Sequence, residues 1–253
     1  MKKIKLNQDL IIYIQDDEIP NLISLPYGQT KTLSNLTSTN DTTVVCKSNC
    51  SFFNMQGDNG VIGTNQGLRP NFNKVDDRPN QPTNGSMLTA KFWNKDNRYE
   101  IGYFNSWDYV DCDYAFSPCA IMINQGRIDN WISTALINES HLNAINYYTL
   151  YGQLKNGKRF IVASKGYSPI MIRNRLTQMF DIDLLCLLDG GGSAQVNLNG
   201  HIDFNDGTQR SIPNALVFYK WNHKPNPPKP INDADKLIDT LYELIKSYKA
   251  TNK

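Results

Sequence analysis

Short apolar runs separated by polar turns recur along the chain up to about residue 222. Ten of these runs are rich in Val, Ile, Tyr and Phe, the residue types that favour strands. They are Leu10–Ile14, Thr43–Cys46, Met87–Trp93, Tyr99–Asn105, Ala120–Asn124, Tyr147–Leu154, Arg159–Ser164, Leu184–Leu188, Gln195–Leu198 and Ala215–Trp221. Turn-forming pairs such as Asn156-Gly157 lie between them. The pattern therefore predicts ten β-strands.

Two stretches have helical periodicity instead. Ser168 is a suitable N-cap and Pro169 suits the first helical position, which predicts a helix over Ser168–Phe180. Its apolar side chains are expected to face a core: Ile170, Ile172, Leu176, Met179 and Phe180. A second, short helix is predicted over Asn138–Ile145. Many strands and few helices indicate an α+β fold built on a β-rich mixed sheet.

A proline-rich segment ends this pattern. Lys224–Pro230 holds four prolines in seven residues, which favours a stiff extended linker. Apolar residues then recur at alternating spacings of three and four, which predicts a C-terminal amphipathic helix: Ala234, Leu237, Leu241, Leu244 and Tyr248. The predicted organisation is a domain over 1–222, a linker over 223–231 and a helix over 232–253. Either the helix docks on its own domain, or residues 232–250 mediate an oligomer or attachment to a larger assembly.

Composition and charge exclude several classes of partner. The chain is 40% hydrophobic and 20% charged, with a formal net charge of +2, as in ordinary globular proteins. Such a small charge, without RNP-type or zinc-finger patterns, predicts no nucleic-acid partner. No apolar run reaches about 18 residues, so no membrane insertion is expected. The basic start has no signal-peptide core, which predicts synthesis in the cytoplasm, with release by lysis or association with a virion as routes out of the cell.

The five cysteines indicate reduced thiols. They are Cys46, Cys50, Cys112, Cys119 and Cys186. An odd number at uneven spacing, without an export signal, argues against a disulfide framework. The spacings also lack the two-residue knuckle of zinc sites, so we expect small buried side chains and no metal cluster.

The most informative stretch is an apolar strand that runs into Asp189, Gly190, Gly191, Gly192 and Ser193. A carboxylate fixed by the end of a buried strand suits catalysis or metal binding. Glycines permit left-handed backbone and let N–H groups converge on an anion. A tight turn between two strands is the alternative interpretation. Three consecutive glycines exceed what a turn requires, which favours a functional site.

Three segments resemble the phosphodiester glycosidase family. Asp189–Ser193 looks like the family's Asp-Gly-Gly-Gly-Ser signature. Asn49–Phe53, followed by Gly60 and Gly63, is similar to its Asn-Gly-Gly-Phe-Phe segment. Gly207–Leu216 is similar to its Gly-x-x-Arg-Pro-Val-x-Asn-Ala-Leu stretch. The three matches occur in the family's order, which is more specific than any one of them.

The sequence also departs from that family. Four positions carry different residues from those of the family: Cys50, Ser51, Ser211 and Ile212. Tyr147–Thr149 stands where the family has Pro-Arg-Thr, and Ser164–Gly166 stands where it has Asp-Gly-Arg. Part of the anion-binding set is therefore either lost or rebuilt from other basic residues, for which the candidates are Lys165, Arg173 and Arg175.

The resemblance implies a hydrolase that cleaves a sugar phosphodiester, with Asp189 and Arg210 as catalytic residues. Asp189 would act as acid/base, nucleophile or metal ligand, and Arg210 would clamp the phosphate through its planar fork of donors. Arg210 in a structural salt bridge is the alternative. The substrate-binding candidates are Asn49, Ser51, Gly190, Gly191, Gly192, Ser193 and Asn214. Asn49 as a turn former and Asn214 as a backbone brace are alternatives.

Several further site assignments have more than one interpretation. A second carboxylate is expected from comparison with sugar hydrolases, and the choices are Asp58, Asp76, Asp77 and Asp206. Phe52 and Phe53 either line a sugar pocket or pack in the core. Ca²⁺ or Mg²⁺ beside Asp189 would suit its oxygen ligands.

The expected partner is a phosphate-containing glycan, such as a teichoic-acid-like polymer of a bacterial cell wall, and the protein would act as a bacteriophage particle component. Two other functions are compatible with the sequence. One is a non-catalytic module that binds a phosphoglycan. The other is a structural assembly protein.

Overall fold

The computed structural model describes residues 1–25, 29–36, 42–51, 63–64, 87–104, 112–128, 132–133 and 137–222. Met1–Lys220 form one compact unit and Trp221–Lys253 form a second. Strands dominate the described part, which also contains two α-helices, and this confirms the β-rich α+β class. The predicted linker and C-terminal helix lie outside the described residues. Neither described helix is long and apolar enough to cross a membrane.

The described part of the chain contains sixteen strands. They are β1 (Lys2–Asn7), β2 (Leu10–Ile14), β3 (Ile19–Ser24), β4 (Thr42–Asn49), β5 (Gly63–Thr64), β6 (Met87–Phe92), β7 (Tyr99–Phe104), β8 (Tyr114–Phe116), β9 (Ala120–Ile123), β10 (Ile132–Ser133), β11 (Asn146–Leu154), β12 (Arg159–Tyr167), β13 (Ile182–Leu187), β14 (Val196–Leu198), β15 (His201–Phe204) and β16 (Asn214–Trp221). The helices are α1 (Glu139–Asn143) and α2 (Pro169–Thr177), and short 3-10 turns occupy Leu33–Asn35 and Gly191–Ser193.

All ten predicted strands are present, with ends that differ by a few residues. Six further strands have weak sequence signals. Some are very short, β1 is rich in lysine, and β3 contains Pro20. Both β1 and β3 are edge strands, where a charged residue or a proline is tolerated because one side of the strand is unpaired.

The strands form three sheets, where the pattern predicts one. The order is β1-β2-β12-β11-β13-β9-β10 in the seven-stranded sheet, β15-β14-β4-β16-β3 in the five-stranded sheet and β5-β8-β6-β7 in the four-stranded sheet. Each pairing whose register the structure gives is antiparallel. Strand propensity does not say which strands pair, so the division into sheets is a tertiary property.

The seven-stranded sheet is buried on both faces. Along β12, Ile161 and Ala163 enter one cluster, which we call the inner core, together with residues of the other two sheets. Phe160 and Val162 alternate with them and enter a second cluster, the helix-side core, which α1 and α2 cover. Strand alternation therefore places two different cores on the two faces of one sheet.

Helix α2 agrees with its prediction in both start and buried face. The Ser168 side chain accepts a hydrogen bond from the N–H of Met171, as an N-cap should. Ile172 and Leu176 are fully buried in the helix-side core. The predicted burial of Met179 is wrong, because it lies past the helix end and is 51% exposed. The second predicted helix is present as α1.

All five cysteines are free and buried, which confirms the prediction of reduced thiols. Burial raises the pKa of the Cys46, Cys50 and Cys186 thiols well above the ordinary value. These groups therefore stay protonated and act as small core residues.

Candidate active site

Strand β13 carries Asp189 to one end of the seven-stranded sheet. The preceding residue, Leu188, donates its N–H to the carbonyl of Thr149 on β11 at 3.1 Å. Asp189 donates its own N–H to the carbonyl of Cys50, just past the end of β4, at 3.0 Å. Asp189 is 8% exposed. Asp189 thus lies where a main-chain hydrogen bond joins the seven-stranded sheet to the end of β4 in the five-stranded sheet.

Burial makes this carboxyl a weaker acid than an ordinary aspartate. It raises the pKa of Asp189 to about 6 from the ordinary 3.8. Hydrogen bonds from the Ser193 hydroxyl and the Gly190 N–H, and the positive charge of Arg210, act in the opposite direction but are smaller. A carboxyl with a pKa near 6 exchanges its proton close to neutral pH, as an acid/base catalyst must.

Each glycine of the turn occupies a position where a side chain would be too close to a neighbour or would strain the backbone. A Cβ at Gly190 would lie 2.9 Å from the Tyr148 ring, and one at Gly192 would lie 2.8 Å from Nη2 of Arg210. Gly191 has a φ of 59°, in the left-handed region that favours glycine. Within the described residues, the N–H groups of Gly191 and Gly192 have no hydrogen-bond acceptor. The turn therefore combines close packing with two N–H donors that can serve an anion.

Arg210 is an exposed residue whose guanidinium lies beside Gly192 of this turn. Its Nη1 is 3.5 Å from the hydroxyl oxygen of Ser193, at the limit of a hydrogen bond. Among the described residues it forms no salt bridge, so the structural alternative for Arg210 gains no support. The structure thus brings together Asp189, the glycine turn, Ser193 and Arg210, which the sequence nominated from two separate motifs.

Asn49 is fully engaged by the protein. Its Nδ2 donates to the main-chain carbonyl of Asp189 at 2.7 Å. Its Oδ1 accepts from the Thr149 hydroxyl at 2.8 Å and from the Gln195 N–H at 3.0 Å. These contacts favour a bracing role over direct contact with a ligand. Thr149 and Gln195 were missed by sequence reasoning, although a polar residue inside an apolar run was a usable signal for Thr149.

Ser51 and Asn214 are buried beside the site. The N–H of Ser51 donates to Oδ1 of Asn214 at 3.0 Å, which agrees with the brace alternative for Asn214. The Ser51 residue is only 2% exposed, so its hydroxyl has little access to solvent. Nδ2 of Asn214 is buried and has no hydrogen-bond partner among the described residues. Asn214 is 0% exposed, so this donor, like the Ser51 hydroxyl, has little access to solvent.

Asp206 is the one candidate second carboxylate within the described residues. Burial raises its pKa, but hydrogen bonds from Thr208 and the nearby Arg210 charge outweigh that effect and lower the pKa. Its Oδ1 accepts from the Thr208 N–H at 2.9 Å, so it also shapes a turn. The other candidates lie outside the described residues, as do the two aromatic ones: Asp58, Asp76, Asp77, Phe52 and Phe53.

The three alternative basic residues lie on helix α2 and on strand β12. Arg173 and Arg175 belong to α2, and the Arg175 guanidinium lies 5.9 Å from the Tyr167 ring centre. Lys165 is exposed near the end of β12. None of the described contacts links these residues to Asp189, so the part of the chain that the structure describes gives no support for a rebuilt anion site.

The described surroundings of Asp189 offer few ligands for Ca²⁺ or Mg²⁺. Such cations require several oxygen ligands, whereas the groups that act on this carboxyl are N–H, hydroxyl and guanidinium donors. Across the described ranges, no group of three or more His, Cys, Asp or Glu side chains is arranged to hold a metal. The same donors are suited to an anionic ligand.

The fold is shared with the catalytic domain of a hydrolase. That structure is the zebrafish N-acetylglucosamine-1-phosphodiester alpha-N-acetylglucosaminidase catalytic domain, auto-inhibited by its pro-peptide, with 16% sequence identity, a TM-score of 0.56 and 85% of each chain covered. A hypothetical protein from Synechocystis is also similar, at 11% identity and a TM-score of 0.51, covering 86% of this chain and 61% of that one. No protein-family model and no curated protein sequence matches. At these identities the similarity shows the fold.

Proposed function

We propose that this protein is a hydrolase that cleaves a sugar phosphodiester at the Asp189 site. The observation that carries the proposal is the buried Asp189 carboxyl. Its pKa is about 6, and hydrogen-bond donors suited to an anion lie beside it. The shared fold with a phosphodiester glycosidase catalytic domain supports the same reaction class.

Each group has a defined task in this proposal. Below its pKa the Asp189 carboxyl donates a proton to a leaving oxygen, and above it the carboxylate accepts one from water. Arg210 holds two phosphate oxygens with its planar fork. The Gly191 and Gly192 N–H groups supply further donors to oxygens of the ligand.

The test is turnover of a panel of hexose-1-phosphate methyl diesters. Release of free sugar with methyl phosphate would show cleavage of the glycosidic bond, and release of hexose-1-phosphate with methanol would show cleavage at phosphorus. We expect Asp189→Asn to lower kcat by about 10²–10⁴-fold, the usual contribution of an acid/base group. Arg210→Lys should raise KM, because the charge stays but the fork is lost.

A folded Asp189→Asn protein with near-normal turnover would contradict the assignment. Circular dichroism and the melting temperature of each variant provide the folding control. Addition of a chelator should leave the rate unchanged, since the described donors suit an anion and not a divalent cation.

A non-catalytic phosphoglycan-binding module is the second candidate. It is favoured by the described part of the site, which offers one carboxyl with a raised pKa and several uncharged or cationic donors. Binding of the same diesters without any product over a long incubation would select this function. A cell-wall polymer as natural substrate, a virion location and assembly through residues 232–250 remain proposals from the sequence, and fractionated cell-wall glycans are the material with which to test the first.

A further inference from the structure

A single buried hydrogen-bond node joins four segments behind the site. Asn49, at the end of β4, donates to the Asp189 carbonyl and accepts from Thr149 and Gln195. The Thr149 hydroxyl also lies 3.3 Å from the Asp189 carbonyl oxygen. Asn49 is 1% exposed, and Thr149 and Gln195 are 0% exposed, so water does not compete for these hydrogen bonds.

Gln195 extends this node to Arg210. Its side-chain Nε2 donates to the main-chain carbonyl of Arg210 at 2.8 Å, while its main-chain N–H donates to Asn49. One residue therefore ties the loop that presents the guanidinium to the node that holds the Asp189 main chain. The two candidate catalytic groups come from distant parts of the sequence, and this network is a continuous set of described hydrogen bonds between them.

We propose that Thr149 and Gln195 are positioning residues, which act through Asn49 and the Arg210 main chain to hold the carboxyl of Asp189 and the guanidinium of Arg210 in one fixed arrangement. The inference rests on the proposed function of this site and extends it to two residues that do not touch the ligand. Catalytic groups need support of this kind, because small displacements of the reacting groups lower the rate strongly.

The two residues act on different partners, so their removal has different effects. Loss of the Thr149 hydroxyl removes one hydrogen bond, shared between Oδ1 of Asn49 and the Asp189 carbonyl, and should loosen the end of β13. Loss of the Gln195 side-chain amide releases the Arg210 loop but keeps the main-chain hydrogen bond to Asn49. The first change should affect the acidity of Asp189, and the second should affect the binding of phosphate.

Thr149→Val tests the first effect, with Thr149→Ser as the variant that restores the hydroxyl. We expect kcat to fall about tenfold with KM nearly unchanged, the loss equivalent to one hydrogen bond. The ¹³C-detected titration midpoint of the Asp189 carboxyl should move from about 6 towards 3.8, because a looser turn admits water. Arg210 is the charged group near this carboxyl and is unchanged in the variant.

Ser164→Ala is the matched control for this experiment. Ser164 lies on β12, next to β11, and is fully buried. Its hydroxyl has no hydrogen-bond partner among the described residues. The variant removes a buried hydroxyl from the same sheet without touching the node, so the Asp189 midpoint and kcat should stay at their wild-type values.

Gln195→Met tests the second effect in a double-mutant cycle with Arg210→Met. Calorimetric titration with inorganic phosphate should show an approximately fivefold higher Kd for Gln195→Met in the wild-type background. In the Arg210→Met background the same change should have no further effect, since Gln195 acts through Arg210. Equal losses in both backgrounds would overturn the proposal for Gln195.

The titration separates this inference from the proposed function. A shifted Asp189 midpoint in Thr149→Val, restored in Thr149→Ser, supports the positioning role even if the wild-type protein hydrolyses no diester. An unshifted midpoint with unchanged kcat in an active wild-type background would overturn the role of Thr149, while the hydrolase assignment would stand.

Discussion

Asp189 shows how one residue acquires chemistry from its surroundings. Its side chain is an ordinary carboxyl, but burial at a strand end raises its pKa to about 6, and the donors around it limit the rise. The protein tolerates this because the neighbouring main-chain groups are held by Thr149, Cys50 and Asn49. A buried carboxyl with a raised pKa lowers the stability of the protein at neutral pH, because its charged form is desolvated.

Removing the Asp189 charge should therefore stabilise the protein at neutral pH. The folded-state pKa is above the unfolded value, so the folded protein binds the proton more tightly and this group lowers stability as pH rises from about 4 to about 6. Asp189→Asn should raise the free energy of unfolding at pH 7 by up to about 3 kcal/mol, from a pKa shift of about two units. Urea titrations at pH 4 and pH 7 should show the gain at pH 7 and little gain at pH 4. A less stable variant at pH 7 would mean that the carboxylate holds the turn together.

At the scale of elements, α2 and the glycine turn follow directly from local sequence. Ser168 and Pro169 start the helix. Along β13, Leu184 and Cys186 enter the inner core, and Leu185 and Leu187 enter the helix-side core. Helix α2 contributes Ile172 and Leu176 to the helix-side core, on the face of the sheet opposite to the inner core. Its stability and the chemistry of Asp189 should therefore be separable.

The N-cap of α2 provides a test of that separation. Ser168→Ala removes the acceptor for the Met171 N–H and should lower the free energy of unfolding by about 1 kcal/mol. Ser168→Thr keeps an acceptor and is the control. The Asp189 titration midpoint should be the same in all three proteins. A shifted midpoint in Ser168→Ala would show that the cap of α2 is coupled to the site.

At the scale of the whole molecule, the compact unit Met1–Lys220 contains the inner core and the helix-side core and nearly all residues of the three sheets. The last strand, β16, pairs with β3 near the start of the chain, so the two ends of this unit are joined in one sheet. The described sheets are therefore complete without any residue that follows the predicted linker.

Deletion of residues 224–253 should accordingly leave the remaining chain folded, with a melting temperature close to that of the full protein. If the predicted helix mediates association, sedimentation equilibrium should show a lower mass for the shortened chain. A large drop in melting temperature with an unchanged number of subunits would mean that the helix stabilises its own domain.

Much of this architecture is determined locally and could be predicted from the sequence alone. Alternating apolar positions and turn residues identified ten strands and both described helices, because side-chain period and capping are properties of neighbouring residues. The same reasoning nominated Asp189, the glycines and Arg210 from their motifs. It also predicted free cysteines, because their number and spacing can be read directly from the sequence.

The tertiary structure alone decided how these parts combine. Which strands pair, how they divide into three sheets, and the presence of edge strands such as β1 and β3 depend on contacts between distant segments. The same holds for the pKa of Asp189, which arises from burial and not from its neighbours in sequence. Asn49, Thr149 and Gln195 became a single network because the end of β4, strand β11, the residue before β14 and the turn after β13 converge. No local pattern contains that information, since hydrogen bonds between distant residues exist only once the chain has folded.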